Sequence, residues 1–192
     1  DIDSFAVLKP NTRSICILDP TEIETWEKES EEKLLAKFPF ITGLEVVLLP
    51  FETIKDRSNI YNFTIKVQGT CIYGNDLADR ITPYKIDCQI AFQTSDIHFH
   101  IEQFWSEYPN ETEEEKKLWL IWLMKRFLRL GMELVMEEDR RYTRDLYYCY
   151  QSFAKYYPQK AEQMYFALEL AIKPKIDRDT IFFVRRFGDW LV

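Results

Sequence analysis

The hydrophobic pattern of this 192-residue chain changes near Pro83. Before that point, short apolar runs of strand length alternate with segments whose apolar residues recur every three or four positions. After it, almost every segment has the helical period, as in Leu118, Ile121 and Leu128. We therefore predict an α+β protein, in which residues 1–84 form a small mixed-sheet core and residues 85–192 form a helical bundle.

The predicted core alternates strands with helices. Its predicted strands cover residues 1–8, 44–49 and 70–77, its predicted helices cover 21–38 and 59–68, and residues 14–18 form either a short strand or an extended linker. Thr21 and Glu24 have the spacing of a capping box, which predicts that a helix begins there. Apolar spacing places Trp26 on the buried face of the first helix and Val67 on that of the second.

The predicted bundle has five helical segments, separated by short breaks that contain proline or asparagine. The segments cover residues 88–105, 113–138, 143–157, 159–172 and 178–191. The whole chain is 46% hydrophobic and 16% aromatic, which is enough apolar material for a buried core.

Two carboxylates open the first predicted strand. Asp1 and Asp3 stand two positions apart, and alternate residues of a strand share a face. The second strand carries one acid, Glu45, so three carboxylates meet if the two strands are neighbours. Proteins typically bind Mg²⁺ through a few carboxylates together with substrate phosphates. The alternative is that the Asp-x-Asp spacing arises by chance and that Glu45 simply faces solvent.

Charge and composition argue against several classes of protein. The net charge of −7 argues against broad binding to nucleic-acid phosphates, which requires a basic surface. No apolar run reaches about 18 residues, so we expect no membrane span. We expect no signal peptide, and the scattered cysteines, at positions 16, 71, 88 and 149, indicate reduced thiols. We expect a cytoplasmic protein, and the sequence leaves open whether it forms a homodimer.

Several short stretches carry a resemblance to a known family. In the first half they are residues 1–7 (DIDSFAV), 38–40 (FPF), 44–50 (LEVVLLP) and 68–77 (QGTCIYGNDL). In the second half they are residues 125–126 (KR), 142–147 (YTRDLY), 156–158 (YYP) and 187–191 (FGDWL). In this order and spacing they resemble bacterial nucleotidyltransferases of the DNA polymerase beta superfamily, above all the aminoglycoside-adenylyltransferase-like proteins. These proteins have a small catalytic α/β domain followed by helices, and the likeness spans essentially the whole chain.

The resemblance implies a reaction. A nucleoside monophosphate moves from a nucleoside triphosphate, with ATP the expected donor, to an unidentified acceptor hydroxyl, and pyrophosphate leaves. Asp1 and Asp3 would bind Mg²⁺, and Glu45 would either complete the metal site or accept the proton of the acceptor hydroxyl. Family members carry a Gly-Ser turn shortly before the Asp-x-Asp, which cradles the nucleotide phosphates. This sequence begins at the first aspartate, so we expect the biological protein to be longer.

Basic residues of the predicted bundle are candidates for binding the triphosphate, since guanidinium groups suit bidentate phosphate contacts. The candidates are Lys125, Arg126, Arg129, Arg140, Arg141 and Arg144. The resemblance implies a nucleotide-facing position for Arg144 first, and then for Lys125 and Arg129. The alternative is a solvated helix face, on which these side chains pair with the acids at positions 133, 137, 138 and 145.

Other conspicuous side chains have simpler explanations. The aromatic residues at positions 142, 147, 148, 150, 153, 156 and 157 could line an acceptor pocket, although helix packing is favoured. His98 and His100 stand two positions apart and so do not share a helical face. Surface or core roles are therefore favoured over metal binding for both histidines.

Two further functions stay open as alternatives. Small nucleotidyltransferases also act as antitoxins that bind, and sometimes adenylylate, a helical ribonuclease toxin, so a separate toxin partner is one of them. The helical half is not itself such a ribonuclease, because those enzymes use an arginine followed closely by a histidine and no histidine follows His100. The other is a degenerate nucleotide-binding scaffold. The three acids argue against it, and the missing phosphate-binding turn argues for it.

Overall fold

The computed structural model describes residues 2–8, 20–41, 43–56, 59–91 and 95–192. The chain divides into two compact units, residues 1–84 and residues 85–192. The described part is mostly helical and contains a two-stranded sheet, so the protein is a mixed α/β chain with a helical C-terminal region. Within the described ranges, no helix is both long enough and apolar enough to cross a membrane.

The first unit is built on a small parallel sheet. Its elements are the strands β1 (Ile2–Val7) and β2 (Leu44–Leu49) and the helices α1 (Pro20–Lys37) and α2 (Ile60–Gln68). Parallel strands need a crossover connection, and α1 lies within it. Ser4 Oγ donates a hydrogen bond across the sheet to the Glu45 carbonyl at 3.0 Å. Glu31 on α1 accepts from Leu44 N at 3.2 Å, so the helix holds the start of β2.

The core of this unit extends from the end of β2 into the segments that follow it. Its buried apolar side chains are Leu49, Ile54, Phe63 and Ile81. Asn62 on α2 is fully buried, and its side-chain amide donates to the carbonyls of Thr53 and Asp56. These bonds satisfy backbone acceptors of the turn that follows β2, so α2 and the turn form one packed group.

Several predictions for the first unit are wrong. Residues 70–77 form an exposed loop instead of a strand, in which Ile72 and Tyr73 are 90% and 96% exposed, so no buried face favours pairing. The described sheet is parallel, with no antiparallel strand among the described residues, and residues 14–18 lie outside them. Thr21 lies inside α1, which begins at Pro20, and does not cap it. Trp26 and Val67 are 53% and 49% exposed, off the buried faces of their helices.

The second unit is a set of helices around one long central helix. The helices are α3 (Ile97–Glu107), α4 (Glu113–Asp139), α5 (Leu146–Tyr156), α6 (Ala161–Ile172) and α7 (Arg178–Leu191). The central helix α4 packs against the other four. It begins with a capping box, in which Thr112 Oγ1 accepts from Glu115 N and the Glu115 carboxylate accepts from Thr112 N. This pair satisfies two backbone donors at the start of the helix.

The core of the second unit follows the buried face of α4. Its fully buried side chains on this helix include Leu120, Leu123, Met124, Phe127, Leu128 and Met132. Gly131 lies on the same face, and a Cβ there would collide with Met164 Cε and lie 3.1 Å from Phe153 Cδ2. The missing side chain therefore lets α5 and α6 pack closely against α4.

The helix boundaries test the periodicity argument. Helices α4, α6 and α7 confirm the predictions to within two residues. The predicted helix over residues 88–105 is wrong at its start, because residues 88–90 form a single turn and α3 begins at Ile97. Asp87 accepts from Gln89 N, and Glu137 accepts from Cys88 N, so side chains satisfy that turn. Asp145 accepts from the first backbone amides of α5, which therefore begins at Leu146 rather than at residue 143.

Candidate functional site

The predicted acid site lies on the sheet of the first unit. Asp1 lies outside the described residues, and Asp3 is described by its backbone. The parallel register aligns the Cα atom of Asp3 with that of Glu45, which is the pairing that the predicted site requires. Glu45 is exposed, so solvent and small ligands can reach its carboxylate.

The donor atoms at these positions have the chemistry of a magnesium site. Mg²⁺ prefers carboxylate oxygens over the nitrogen and sulfur ligands that suit zinc or copper. Among the side chains that the structure describes, no group of three or more His, Cys, Asp or Glu is arranged to hold a metal ion. The carboxylates of Asp1 and Asp3 lie outside that set, so the three-acid site stays a prediction, supported by the register of the strands.

Three of the predicted phosphate-binding residues lie near one another in the second unit. Arg126 and Arg129 stand one turn apart on α4, and Arg144 lies in the loop between α4 and α5. Burial lowers the pKa of Arg126 and of Arg129, and the positive charge of Arg144 lowers both further. The loop turns at Arg140, whose backbone is left-handed with φ of 52°. The negative charge of the buried Glu133 opposes this pKa shift at Arg126, so both signs of charge meet beside this partly buried helix face.

These arginines differ in their partners. Arg126 forms an ion pair with Asp96 and lies over the ring of Trp122, 4.9 Å from its centroid. Arg129 and Arg144 form no ion pair or hydrogen bond with any residue in the described ranges. The side-chain Nε atoms of Arg126 and Arg129 are both buried without a hydrogen-bond acceptor.

The solvated-face alternative stays open, although the structure gives two of its four acids other partners. Two of the acids proposed as their partners bond to backbone amides instead: Asp145 caps α5 and Glu137 accepts from Cys88 N. Glu133 is buried, and its charge acts on Arg126. Helical spacing shows which residues share a face, but it does not show which acids reach them.

The other predicted basic residues lie in different surroundings. Lys125 is half-buried on α4 and has no ion pair within the described ranges. Arg140 is exposed at the end of α4. Arg141 belongs to a separate polar group around Asp139, where its Nη2 donates to Ser152 Oγ at 2.7 Å. The structure thus does not bring all six basic residues together.

The group around Asp139 has no counterpart among the predicted sites. Asp139 ends α4, its side chain is 10% exposed, and it accepts from Ser152 Oγ and Lys155 Nζ, each at 2.9 Å. Tyr156 OH donates to the same carboxylate at 3.3 Å. The hydrogen bond from Lys155 is the main reason why the pKa of Asp139 lies below its usual value, and the bonds from Ser152 and Tyr156 lower it further. With Arg141, some of these side chains line a surface pocket of about 350 Å³.

The histidines and tyrosines have ordinary packing partners. His98 pairs with Glu102 on the surface, and His100 lies 3.0 Å from the Asp96 carboxylate. His100 also packs edge-on against Trp122, with ring centroids 4.7 Å apart. Tyr157 stacks on Phe153 in the core, at a centroid distance of 5.1 Å. Each of these contacts ties neighbouring helices or turns together.

No family model matches the chain, and neither does any curated protein or solved structure. The chemistry of these sites therefore has to follow from their own residues and geometry.

Proposed function

We propose that this chain is a Mg²⁺-dependent nucleotidyltransferase of the DNA polymerase beta superfamily. It moves a nucleoside monophosphate from a nucleoside triphosphate, with ATP the expected donor, to an acceptor hydroxyl. The observation that carries the proposal is the parallel register that aligns Asp3 with Glu45. The resemblance of residues 1–7, 44–50 and 68–77 to that family supports it.

The acids have two roles in this proposal. Asp1 and Asp3 hold Mg²⁺, which supplies charge neutralisation at the transferring phosphoryl group and at the leaving pyrophosphate. Glu45 either adds a third carboxylate to the ion or takes the proton of the acceptor hydroxyl. Its exposure suits both roles, because a general base must come within hydrogen-bond reach of the acceptor.

The basic residues complete the proposal. Arg144, Lys125 and Arg129 bind the triphosphate, as the resemblance implies. Arg129 and Arg144 are suited to this because neither forms an ion pair with an acid in the described ranges. Lys125 offers a single point charge instead of a planar pair of donors.

The test measures triphosphate binding and pyrophosphate release by the full-length protein, with and without Mg²⁺. We expect Mg²⁺-dependent binding that Asp3→Asn abolishes, because the amide gives the ion a neutral ligand in place of a charged one. Asp79→Asn is the matched control, since Asp79 is an exposed acid of the same unit. The proposal is refuted if Mg²⁺ does not promote binding, or if Asp3→Asn binds as the wild type does. A screen of hydroxyl acceptors with labelled triphosphate then identifies the acceptor.

A further inference from the structure

An apolar stripe lies exposed on the helical unit. Leu118 and Trp122 stand one turn apart on α4, and both side chains are exposed. The Trp119 ring packs edge-on against Trp122, with ring centroids 5.6 Å apart. The His100 ring lies 4.7 Å from that of Trp122 and 5.4 Å from that of Phe99, which is exposed on α3. Contiguous exposed apolar patches typically mark interaction sites, and tryptophan is enriched at the centres of protein interfaces.

The two ends of this stripe carry opposite charges. Glu114 lies one turn before the apolar residues of α4, and Lys125 lies one turn after them. About three helical turns separate the two residues, so both lie on the side of α4 that carries the stripe. Glu111 and Glu115 add negative charge at the first end. A hydrogen bond between them is the main reason why the pKa of Glu111 lies above its usual value, and the negative charge of Glu115 raises it further.

Lys125 lacks a partner that would neutralise it within the described part of the chain. The α4 positions one turn before and after it, 121, 122, 128 and 129, carry no acid, and it forms no ion pair with any described residue. The next acid along the helix, Glu133, is buried two turns away, and its charge acts on Arg126. Glu114 forms an ion pair with Lys117, but its side chain is 81% exposed, so that pair contributes little.

We propose that α4 packs against α4 of a second copy of this chain in an antiparallel pair, which makes the protein a homodimer. A two-fold axis midway between Leu118 and Trp122 places each of them against the other residue of the second copy. The same axis brings Lys125 beside Glu114 of the second copy, so opposite charges meet on both sides of the axis.

The order of charges is what favours a second copy over an unrelated partner. A stripe that is acidic at one end, apolar in the middle and basic at the other is complementary to itself in the antiparallel orientation. A parallel pair would place like charges together, which costs free energy. The burial of Trp122 and Leu118 stabilises the pair, and the charges at the ends fix its orientation.

Sedimentation velocity of the full chain, from about 1 to about 100 μM, measures the association. We expect a reversible equilibrium between monomer and dimer, with neither Mg²⁺ nor triphosphate present. Leu118→Glu should raise the Kd about 100-fold or more, because two-fold symmetry places two changed residues in every interface. Ile172→Glu is the matched control, since Ile172 at the end of α6 is 65% exposed and Leu118 is 66% exposed. Far-UV circular dichroism checks that each variant is folded.

Charge reversal tests the orientation of the pair. Lys125→Glu alone and Glu114→Lys alone should each raise the Kd about tenfold or more, because each places like charges across the interface. An equimolar mixture of these two variants should form a heterodimer with a Kd close to that of the wild type. The reason is that both charged contacts of the mixed pair again join opposite charges.

Three results would overturn the proposal. A wild type that stays monomeric up to about 100 μM leaves the stripe to a different protein or to solvent. A dimer that Leu118→Glu and Ile172→Glu affect equally is joined through another surface. A mixture of the two charge variants that associates no better than either variant alone excludes the antiparallel pairing.

Discussion

The hydrogen bonds at Asp139 give the sharpest stability prediction. This carboxylate is largely buried at the end of α4 and joins that helix to α5 through Ser152 and Lys155. The variant Asp139→Asn keeps the size and shape of the side chain but removes its charge. It also places an NH₂ group opposite one of the donors, so at least one hydrogen bond is lost.

The magnitude follows from the separate contacts. A hydrogen bond from the buried Ser152 hydroxyl to a charged acceptor contributes about 1.5–3 kcal/mol. The ion pair with Lys155 contributes little, because the lysine side chain is 62% exposed. The asparagine side chain still forms some of these hydrogen bonds. Removing a negative charge from a helix C-terminus stabilises the folded protein by about 0.3–1 kcal/mol. We expect a net loss of about 1–2 kcal/mol in the free energy of unfolding at pH 7.

The contribution of Asp139 to the free energy of unfolding falls as the pH is lowered. The pKa of Asp139 is lower in the folded protein than its ordinary value of 3.8, so its contribution is complete above that value. It disappears as the pH falls through the folded pKa. The difference between wild type and Asp139→Asn should therefore be constant from pH 7 to pH 5 and shrink below about pH 4.

Urea unfolding, followed by far-UV circular dichroism at several pH values, measures this difference. Glu138→Gln is the matched control, because Glu138 is an exposed acid at the same end of α4, and we expect it to change stability by less than about 0.5 kcal/mol. A loss at Asp139→Asn no larger than that of the control refutes the argument. So does a loss that persists unchanged at low pH.

Two further predictions concern the helical core. Phe127→Ala should cost about 3–5 kcal/mol in the same urea assay, because Phe127 is fully buried on α4, and a loss below about 1 kcal/mol would contradict this packing. Burial raises the pKa of the Cys149 thiol to about 12, so alkylation of the native protein at pH 8 should leave Cys149 unlabelled while the exposed Cys71 and Cys88 react. Peptide mass spectrometry checks this, and labelling of Cys149 before unfolding would show that the thiol is accessible.

Local sequence signals predicted most of the helices. The apolar period over residues 113–138 and 178–191 is a property of consecutive residues, and both helices follow it closely. The same reasoning failed for residues 70–77, where residues typical of strands form an exposed loop. Strand propensity largely reflects packing against a neighbouring strand, and no local pattern shows whether that neighbour exists.

For the candidate sites, too, the sequence identified individual residues but not their partners in the folded structure. The sequence identified Asp3, Glu45, Arg129 and Arg144 as residues with suitable chemistry, because charge and approximate spacing can be read directly. It did not identify Asp96 as the partner of Arg126, which is 30 residues away along the chain.

Residue type and local periodicity thus determined which side chains are able to bind an ion. The tertiary structure decided which of them are neutralised by a neighbour and which are not. The physical reason is that a charge is balanced by whatever lies within a few ångströms of it, and only the path of the chain brings Asp96 to Arg126.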